Sequence, residues 1–161
     1  MDRRVLMTSV PGVIGVAVLV LVGIAPLAAA EGLGPSPRRG EWSSGPPGLG
    51  AGVSVLVIDG NPQTGPFTLH VRYPAGHTVG PHRHKSDEHA TVLSGTLLLG
   101  WGNVWDPAKF KAVKAGEEVV VPAGTVHSSA ALEETVMEVR ISGRYEIAYI
   151  LDADDPREVK R

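Results

Sequence analysis

The chain has 161 residues, a length that suits one domain, and carries 15 basic and 17 acidic residues for a net charge of −2. This balance offers neither a basic surface for nucleic acid nor an acidic tail. The absence of cysteine excludes disulfide bonds, a cysteine nucleophile and thiolate metal ligands. The 20 glycines and 13 prolines, together with runs rich in valine, threonine and leucine, favour an all-β domain of short strands.

Residues 1–30 contain the three parts of a secretory signal peptide: a basic start, an apolar middle and the sequence AAA at 28–30. The apolar stretch is also long enough to act as an uncleaved membrane anchor. Pro11, Gly15, Gly23 and Pro26 within it weaken a rigid spanning helix, so cleavage is favoured. We therefore expect an exported chain, periplasmic or secreted, with no stable membrane insertion once residues 1–30 are removed.

Residues 31–52 are dense in glycine, proline and serine, so we expect a flexible lead-in. Ordered structure is predicted from Val53, where the β-rich run VSVLVID begins. The segment FTLHVRY, residues 67–73, alternates apolar and polar side chains, which is the period of a strand with one buried face. His70 lies on the polar face of this strand and is expected to be exposed.

Further short strands are predicted along the rest of the chain. Residues 90–99 form two strands around a hairpin turn at Ser94-Gly95, and residues 101–110 form a loop or short helix. The later β-rich segments are 118–121, 126–131, 135–142 and 145–151. About eight strands with frequent turns predict one all-β domain over residues 53–152, a double-sheet jelly roll, followed by a charged tail at 153–161.

Four of the six histidines and two acids lie within GHTVGPHRHKSDEHATVLSG, residues 76–95. One residue separates His82 from His84, so an extended chain directs both imidazoles to one side. Glu88 opens the next strand, and the distant His127 can join them across an antiparallel barrel. Three imidazoles and one carboxylate suit Zn, Fe, Mn, Ni or Cu better than Ca or Mg. A general acid–base cluster and a solvated polar loop are the alternatives, and this combination of ligands favours the metal site.

The spacing of these residues resembles the two motifs of the cupin family. The first motif, a glycine, five residues, His-x-His, three or four residues, Glu, six residues and a glycine, matches Gly76, His82, His84, Glu88 and Gly95. The second motif matches Gly116, Pro122, Gly124 and His127. Ala131 stands where that motif has an asparagine, which is not a metal ligand in the family. The stretches around both motifs are similar to a group of small exported bacterial cupins.

The resemblance implies a single-domain double-stranded β-helix, or jelly-roll barrel. It implies a divalent transition metal (Fe, Mn, Zn or Ni) held by His82, His84, Glu88 and His127. It further implies a metal-dependent dioxygenase, isomerase or lyase acting on a small organic molecule. A non-catalytic module that binds metal or a small ligand is the alternative, and a purely structural metal is a third hypothesis. Cupins are often dimers, so we also expect a homodimer.

Three other polar residues receive separate predictions. Neighbours on a strand point to opposite faces, so His89 should face outward if Glu88 faces inward. A kink that lets His89 replace Glu88 as a ligand is the alternative. His77 is expected in a loop rather than in the site. Arg140 lies opposite the more apolar face of its strand and is expected to be exposed, with a substrate-carboxylate anchor as the alternative.

The signal-peptide hypothesis predicts that the exported chain begins at Glu31, because signal peptidase cuts after a small-x-small sequence. Intact-mass spectrometry of the protein exported by its own N-terminal segment measures this directly. A mature chain that still carries Met1 or Arg3 would show that the segment is an anchor.

Overall fold

The computed structural model describes residues 40–158, and in this part the chain is all-β, as predicted. The predicted signal peptide and the last three residues lie outside these residues. Three short 3₁₀ turns interrupt the strands, at Pro47–Leu49, Pro107–Lys109 and Asp152–Asp154. The strands are β1 (Ser43–Ser44), β2 (Ser54–Gly60), β3 (Phe67–Tyr73), β4 (Thr78–Arg83), β5 (Glu88–Ser94), β6 (Thr96–Trp101), β7 (Lys111–Lys114), β8 (Glu118–Val121), β9 (His127–Ala131), β10 (Thr135–Ile141) and β11 (Ala148–Tyr149). Between residues 40 and 158, no helix is long and apolar enough to cross a membrane.

The strands form two antiparallel sheets that face each other across an aliphatic core. The six-stranded sheet has the order β1-β2-β3-β10-β5-β8, and the five-stranded sheet has the order β11-β4-β9-β6-β7. Several neighbouring strands, such as β3 and β10 or β4 and β9, are distant in sequence, as in the predicted jelly roll. On β3 the inward side chains Phe67, Leu69, Val71 and Tyr73 are all buried, as the alternation predicts. At roughly 1.5–3 kcal/mol for each large buried apolar side chain, this inward face is the main source of stability.

Ser94-Gly95 is a corner between the two sheets and not the predicted hairpin turn. β5 belongs to the six-stranded sheet and β6 to the five-stranded sheet, so the two strands do not pair. Gly95 has φ +77°, and a Cβ there would lie 2.5 Å from the carbonyl oxygen of Glu134. Thr135 packs beside this corner and its hydroxyl donates to the carbonyl of Thr96 at 3.2 Å. The chain can turn so tightly here because glycine has no side chain.

The lead-in predicted to be flexible is structured in its described part, residues 40–52. β1 pairs with β2, and Leu49 is buried in the core cluster. The carbonyl of Gly48 accepts a hydrogen bond from the Tyr149 hydroxyl at 2.7 Å. Composition alone suggested disorder because the segment has few large apolar residues, but β-pairing and these contacts hold it against the barrel.

The C-terminal predictions also need correction. Residues 145–151 were predicted as one strand, but only Ala148–Tyr149 pairs, with β4. The charged tail is largely exposed, as expected, but Arg157 forms an ion pair of 2.6 Å with Asp155 and also contacts the carbonyl of Ile147. The chain therefore stays against the five-stranded sheet as far as Arg157.

The Gly95 corner leads to a stability prediction. We expect Gly95→Ala to lower the free energy of unfolding by about 2–4 kcal/mol, because a Cβ there is strained by the positive φ and also meets backbone atoms. Gly116→Ala is the matched control: Gly116 has φ +87°, but nothing lies within 4 Å of its Cβ position. Gly116→Ala should lower the free energy of unfolding by only about 1–2 kcal/mol. Urea unfolding measures both, and equal losses would contradict the close approach at Gly95.

Candidate metal centre

A β-bulge in β4 turns His82 and His84 into the barrel. Val79 pairs with Ser129, and His82 pairs with His127, so three steps along β4 match two steps along β9. Val79 faces the core, and without the extra residue the following inward positions would be 81 and 83. Pro81 sits in the bulge, where a missing N–H costs no ladder hydrogen bond. The bulge therefore places both histidines, and not Arg83, on the inner face.

The three histidines form one buried cluster. One ring nitrogen of each histidine lies within 4.8 Å of a ring nitrogen of the other two; the three residues are His82, His84 and His127. The His82 and His127 ring centroids are 4.1 Å apart, and those of His84 and His127 are 5.3 Å apart. The structure therefore brings the remote His127 together with His82 and His84.

A backbone carbonyl orients each imidazole of the cluster. The Nδ1 atoms of His82, His84 and His127 lie 2.8, 2.6 and 3.2 Å from the carbonyl oxygens of Gly80, Glu146 and Thr125. A carbonyl oxygen can only accept, so each Nδ1 carries a hydrogen and each Nε2 is directed toward the cluster. This second-shell arrangement is the usual one for metal-binding histidines.

Glu88 completes the cluster from the start of β5. Its Oε2 lies 2.9 Å from Nε2 of His84 and 3.8 Å from Nε2 of His127. Two backbone bonds hold the loops that carry these groups together: Gly124 N–H donates to the His84 carbonyl at 2.8 Å, and Ala123 N–H donates to the Asp87 carboxylate at 2.7 Å. The carboxylate thus faces the same space as the three Nε2 atoms.

Burial and mutual contact set the protonation of the cluster. Burial, with the neighbouring imidazoles, lowers the pKa of His82 to about 3. Burial also lowers the pKa of His127. Burial alone would raise the pKa of Glu88, but the His84 hydrogen bond and the nearby histidines lower it to about 2. Burial opposes a charge on His84 too, but the Glu88 carboxylate outweighs it and raises the pKa of His84.

These residues fit a transition metal. Two imidazoles are neutral and the carboxylate is ionised, so only His84 has a proton to release when an ion binds. Nitrogens that each lie about 2.1 Å from one tetrahedral ion are about 3.4 Å apart, so ring nitrogens within 4.8 Å of one another need to move inward by less than about 1 Å each. Three nitrogens and one carboxylate oxygen are the ligands of Zn, Fe, Mn or Ni rather than Ca or Mg.

A narrow cavity adjoins the cluster inside the barrel. Its volume is about 50 Å³, and aliphatic side chains from both sheets form most of its wall. A single water needs about 10–15 Å³ on this measure, so the cavity holds roughly four waters or a fragment of similar size. The polar wall residues besides the cluster are Tyr73, Ser129 and Tyr145.

The remaining polar predictions are also answered by the structure. His89 faces outward with 42% of its side chain exposed, and its Nδ1 lies 3.4 Å from Glu118. Arg140 is on the same outer face and pairs with Glu118 and Glu138, so it is not a substrate anchor in the barrel. His77 lies against the Tyr73 ring, with centroids 4.7 Å apart, and outside the cluster. His70 is half-buried rather than exposed, 3.4 Å from the Glu138 carboxylate.

The sequence analysis missed residues that shape the surroundings of the cluster. Trp101 ends β6 with its ring centroid 6.4 Å from that of His127. The signal was present, because Trp101 continues the alternation of Leu97 and Leu99, which both face inward. Tyr145 lines the cavity from the irregular segment after β10, where alternation gives no guide to direction.

A jelly-roll barrel that directs three histidines and a glutamate to one interior point defines a protein of the cupin class. Residues 36–146 match the model of the ChrR Cupin-like domain. This match covers more than half of the chain, so the chain belongs to that family. A search of curated proteins gives no match.

Solved structures share the fold at low identity. KdgF from Halomonas sp. is 20% identical with a TM-score of 0.50, over 65% of this chain and 87% of that one. An RmlC-like cupin from Shewanella frigidimarina NCIMB 400 is 17% identical with a TM-score of 0.53, over 66% and 86%. An oxalate oxidase is 23% identical with a TM-score of 0.50, over 67% of this chain but only 60% of that one. At these identities the similarity establishes the fold.

The geometry predicts the metal content of the protein. Untagged wild-type protein should carry about one equivalent of a transition metal, and His82→Ala or His127→Ala should lose most of it, because each removes one of few ligands. His89→Ala is the control, since His89 neighbours Glu88 in sequence but faces outward. Inductively coupled plasma mass spectrometry gives the content. Less than about a tenth of an equivalent in wild type, or equal loss in His89→Ala, would contradict the site.

Proposed function

We propose that this protein is a metal-dependent enzyme that acts on a small organic molecule, with His82, His84, Glu88 and His127 as the ligands of a divalent transition metal. The observation that carries the proposal is the orientation of the three imidazoles by backbone carbonyls, which leaves every Nε2 facing the same point. Burying three polar imidazoles costs free energy. No other feature of the described barrel explains why the fold holds them in this orientation.

The cavity beside the ligands favours catalysis over a purely structural metal. A structural site is closed by protein ligands, whereas a catalytic site keeps a position for water or substrate. Here the ligands come from one end of the barrel, and the cavity lies next to them. A bound metal would supply Lewis-acid or redox chemistry at that point. The ligand set is compatible with dioxygenase, isomerase or lyase chemistry alike.

The chain's own residues limit the substrate and the acid–base chemistry. The described lining of the cavity contains no lysine or arginine, so the walls offer no cation to an anionic group. The aliphatic wall excludes water and favours an uncharged part of the substrate there. Glu88 is the only carboxylate in that lining and is itself a proposed ligand, so the described lining offers no separate carboxylate for acid–base chemistry.

A non-catalytic module that binds metal or a small ligand is the second candidate. The observation that favours it is the same wall, since Tyr73, Ser129 and Tyr145 are the only polar residues in its described part outside the cluster. Burial raises the pKa of Tyr73 and of Tyr145 well above the usual value, so both hydroxyls stay protonated and neither is a strong base. A site with so few acidic or basic groups suits the binding of a ligand as well as its chemical conversion.

We also propose that the chain acts after export, in the periplasm or outside the cell, as a homodimer. The charged start, apolar middle and AAA sequence of residues 1–30 support export, and retention as a membrane anchor is the alternative. Each of the two sheets ends in unpaired edge strands, which supports pairing with a second copy because unpaired edges favour association. Light scattering on the mature chain distinguishes a dimer from a monomer.

The two candidate functions predict different effects of ligand substitutions. If the protein is an enzyme, Glu88→Ala and His127→Ala should each lower kcat/KM by at least ~100-fold, more than the usual effect of changing a residue behind the ligands. His89→Ala should keep wild-type turnover. The measurement is turnover by metal-loaded protein against a panel of oxygenase, isomerase and lyase substrates of small size. Wild-type protein that holds its metal yet turns over none of them would favour the binding module.

A further inference from the structure

Trp101 stands at the metal end of the barrel with its side chain on the inner face of the sheet. It pairs directly with His127, and residues paired in this way point to the same face. Its ring centroid is 6.4 Å from the His127 ring, but 44% of the residue is exposed. An inward tryptophan that stays accessible beside the candidate ligands must lie at an opening of the barrel.

A surface groove between the two sheets passes this tryptophan. β7 ends the five-stranded sheet and β8 ends the six-stranded sheet, so neither edge is covered by a neighbouring strand there. The groove between them is lined by Leu99, Trp101, residues 111–113 and residues 117–119. Leu99 and Val119 line the inner cavity as well. The groove therefore adjoins the inner cavity at these two side chains.

The inner cavity and the groove differ in size, so each can hold a different part of one ligand. The inner cavity of about 50 Å³ accommodates a group of roughly four atoms and is too small for a six-membered ring. The groove is wide and open, and Leu99, Trp101, Val113 and Val119 give it an apolar floor. A molecule that places oxygen donors at the metal must leave its larger part in the groove, against Trp101.

The charges along the groove are balanced. Lys111 contributes one positive charge, and Glu117 and Glu118 contribute two negative charges. Arg140 pairs with Glu118 at 2.5 Å, so the negative charge of Glu118 is largely neutralised. Glu117 is exposed and accepts from the Lys114 backbone N–H at 2.7 Å. Selection in the groove therefore depends on apolar and stacking contact rather than on the net charge of the ligand.

We propose that Trp101 is a specificity-determining residue that stacks on the ring of the substrate, and that the substrate is a single aromatic ring bearing metal-binding oxygen donors. This inference rests on the proposed metal site and adds to it the class of substrate. The indole face supplies offset stacking, which is worth more than the burial of the same apolar area. The donors enter the inner cavity beside the cluster, and the ring remains in the groove.

Two hydroxamates test the proposal, because they share one metal-binding head and differ only in the group behind it. Benzohydroxamate carries a phenyl ring and acetohydroxamate a methyl group. Isothermal titration of the zinc-loaded protein should show benzohydroxamate binding about fivefold to tenfold more tightly. Trp101→Ala and Trp101→Leu should reduce this ratio to within about twofold of one, whereas Trp101→Phe should keep most of it.

Trp105→Ala is the matched control. Trp105 has a similar exposure of 37% but packs against Phe110, with ring centroids 4.8 Å apart, and does not line the groove. It should leave the ratio unchanged. Zinc content and circular dichroism of each variant establish that the fold and the site are retained, and Trp101→Phe and Trp101→Leu decide the outcome if Trp101→Ala does not fold.

The possible failures separate the two proposals. If acetohydroxamate binds to zinc-loaded wild type but Trp101→Leu keeps the wild-type ratio, the role of Trp101 is wrong and the open metal site stands. If neither hydroxamate binds although zinc is present, the metal has no open position and the proposed function itself is wrong. A preference that disappears in Trp105→Ala as well as in Trp101→Leu would also overturn the assignment to Trp101.

Discussion

The hydrogen bonds between three imidazole Nδ1 atoms and three backbone carbonyls are the interaction on which the site depends. The carbonyls belong to the β4 bulge, to the segment after β10 and to the turn before β9. Each bond fixes a ring in one tautomer and one direction, so the site is as rigid as the backbone around it. Parts of the chain far apart in sequence must therefore be in place before the three Nε2 atoms can converge.

The rest of the barrel provides the contacts that stabilise this polar cluster in an apolar interior. Glu88 supplies the negative charge that a cationic His84, or a bound metal, requires, and buried charges are tolerated when they are paired. The N-terminal segment closes the barrel on one side, where the carbonyl of Gly48 meets the hydroxyl of Tyr149. Tyr149 in turn pairs with His82 across the β11–β4 ladder. The N-terminal segment thus contributes Leu49 to the cavity wall and also contacts the strand that pairs with His82.

Much of the fold follows from side-chain alternation in the sequence. FTLHVRY, EVVV and TVMEVRI alternate or run apolar because one face of each strand is buried, and each forms a strand close to its predicted bounds. β7 was not predicted, because an edge strand of four residues with little buried surface has no such pattern. The lead-in and the segment after β10 were misassigned because single contacts, and not periodicity, hold them in place.

The residues of the candidate site could be predicted from the sequence, but the bulge that brings them together could not. The spacing of His82, His84 and Glu88 indicated a cluster, and the structure brings His127 to it. The bulge at Gly80-Pro81 could not be predicted, since strict alternation from Val79 would direct both histidines outward. Trp101 was missed although it continues the alternation of Leu97 and Leu99, because the sequence does not show that it pairs with His127.

The central claim is that one metal ion binds where the three Nε2 atoms converge. Anomalous diffraction from crystals of the mature protein grown with zinc locates the ion without any assumption about activity. The account predicts a single strong peak about 2.0–2.2 Å from Nε2 of His82, His84 and His127, with the Glu88 carboxylate adjacent and at least one position facing the cavity. A peak only at exposed histidines such as His89, or no ordered peak within the barrel, would contradict it.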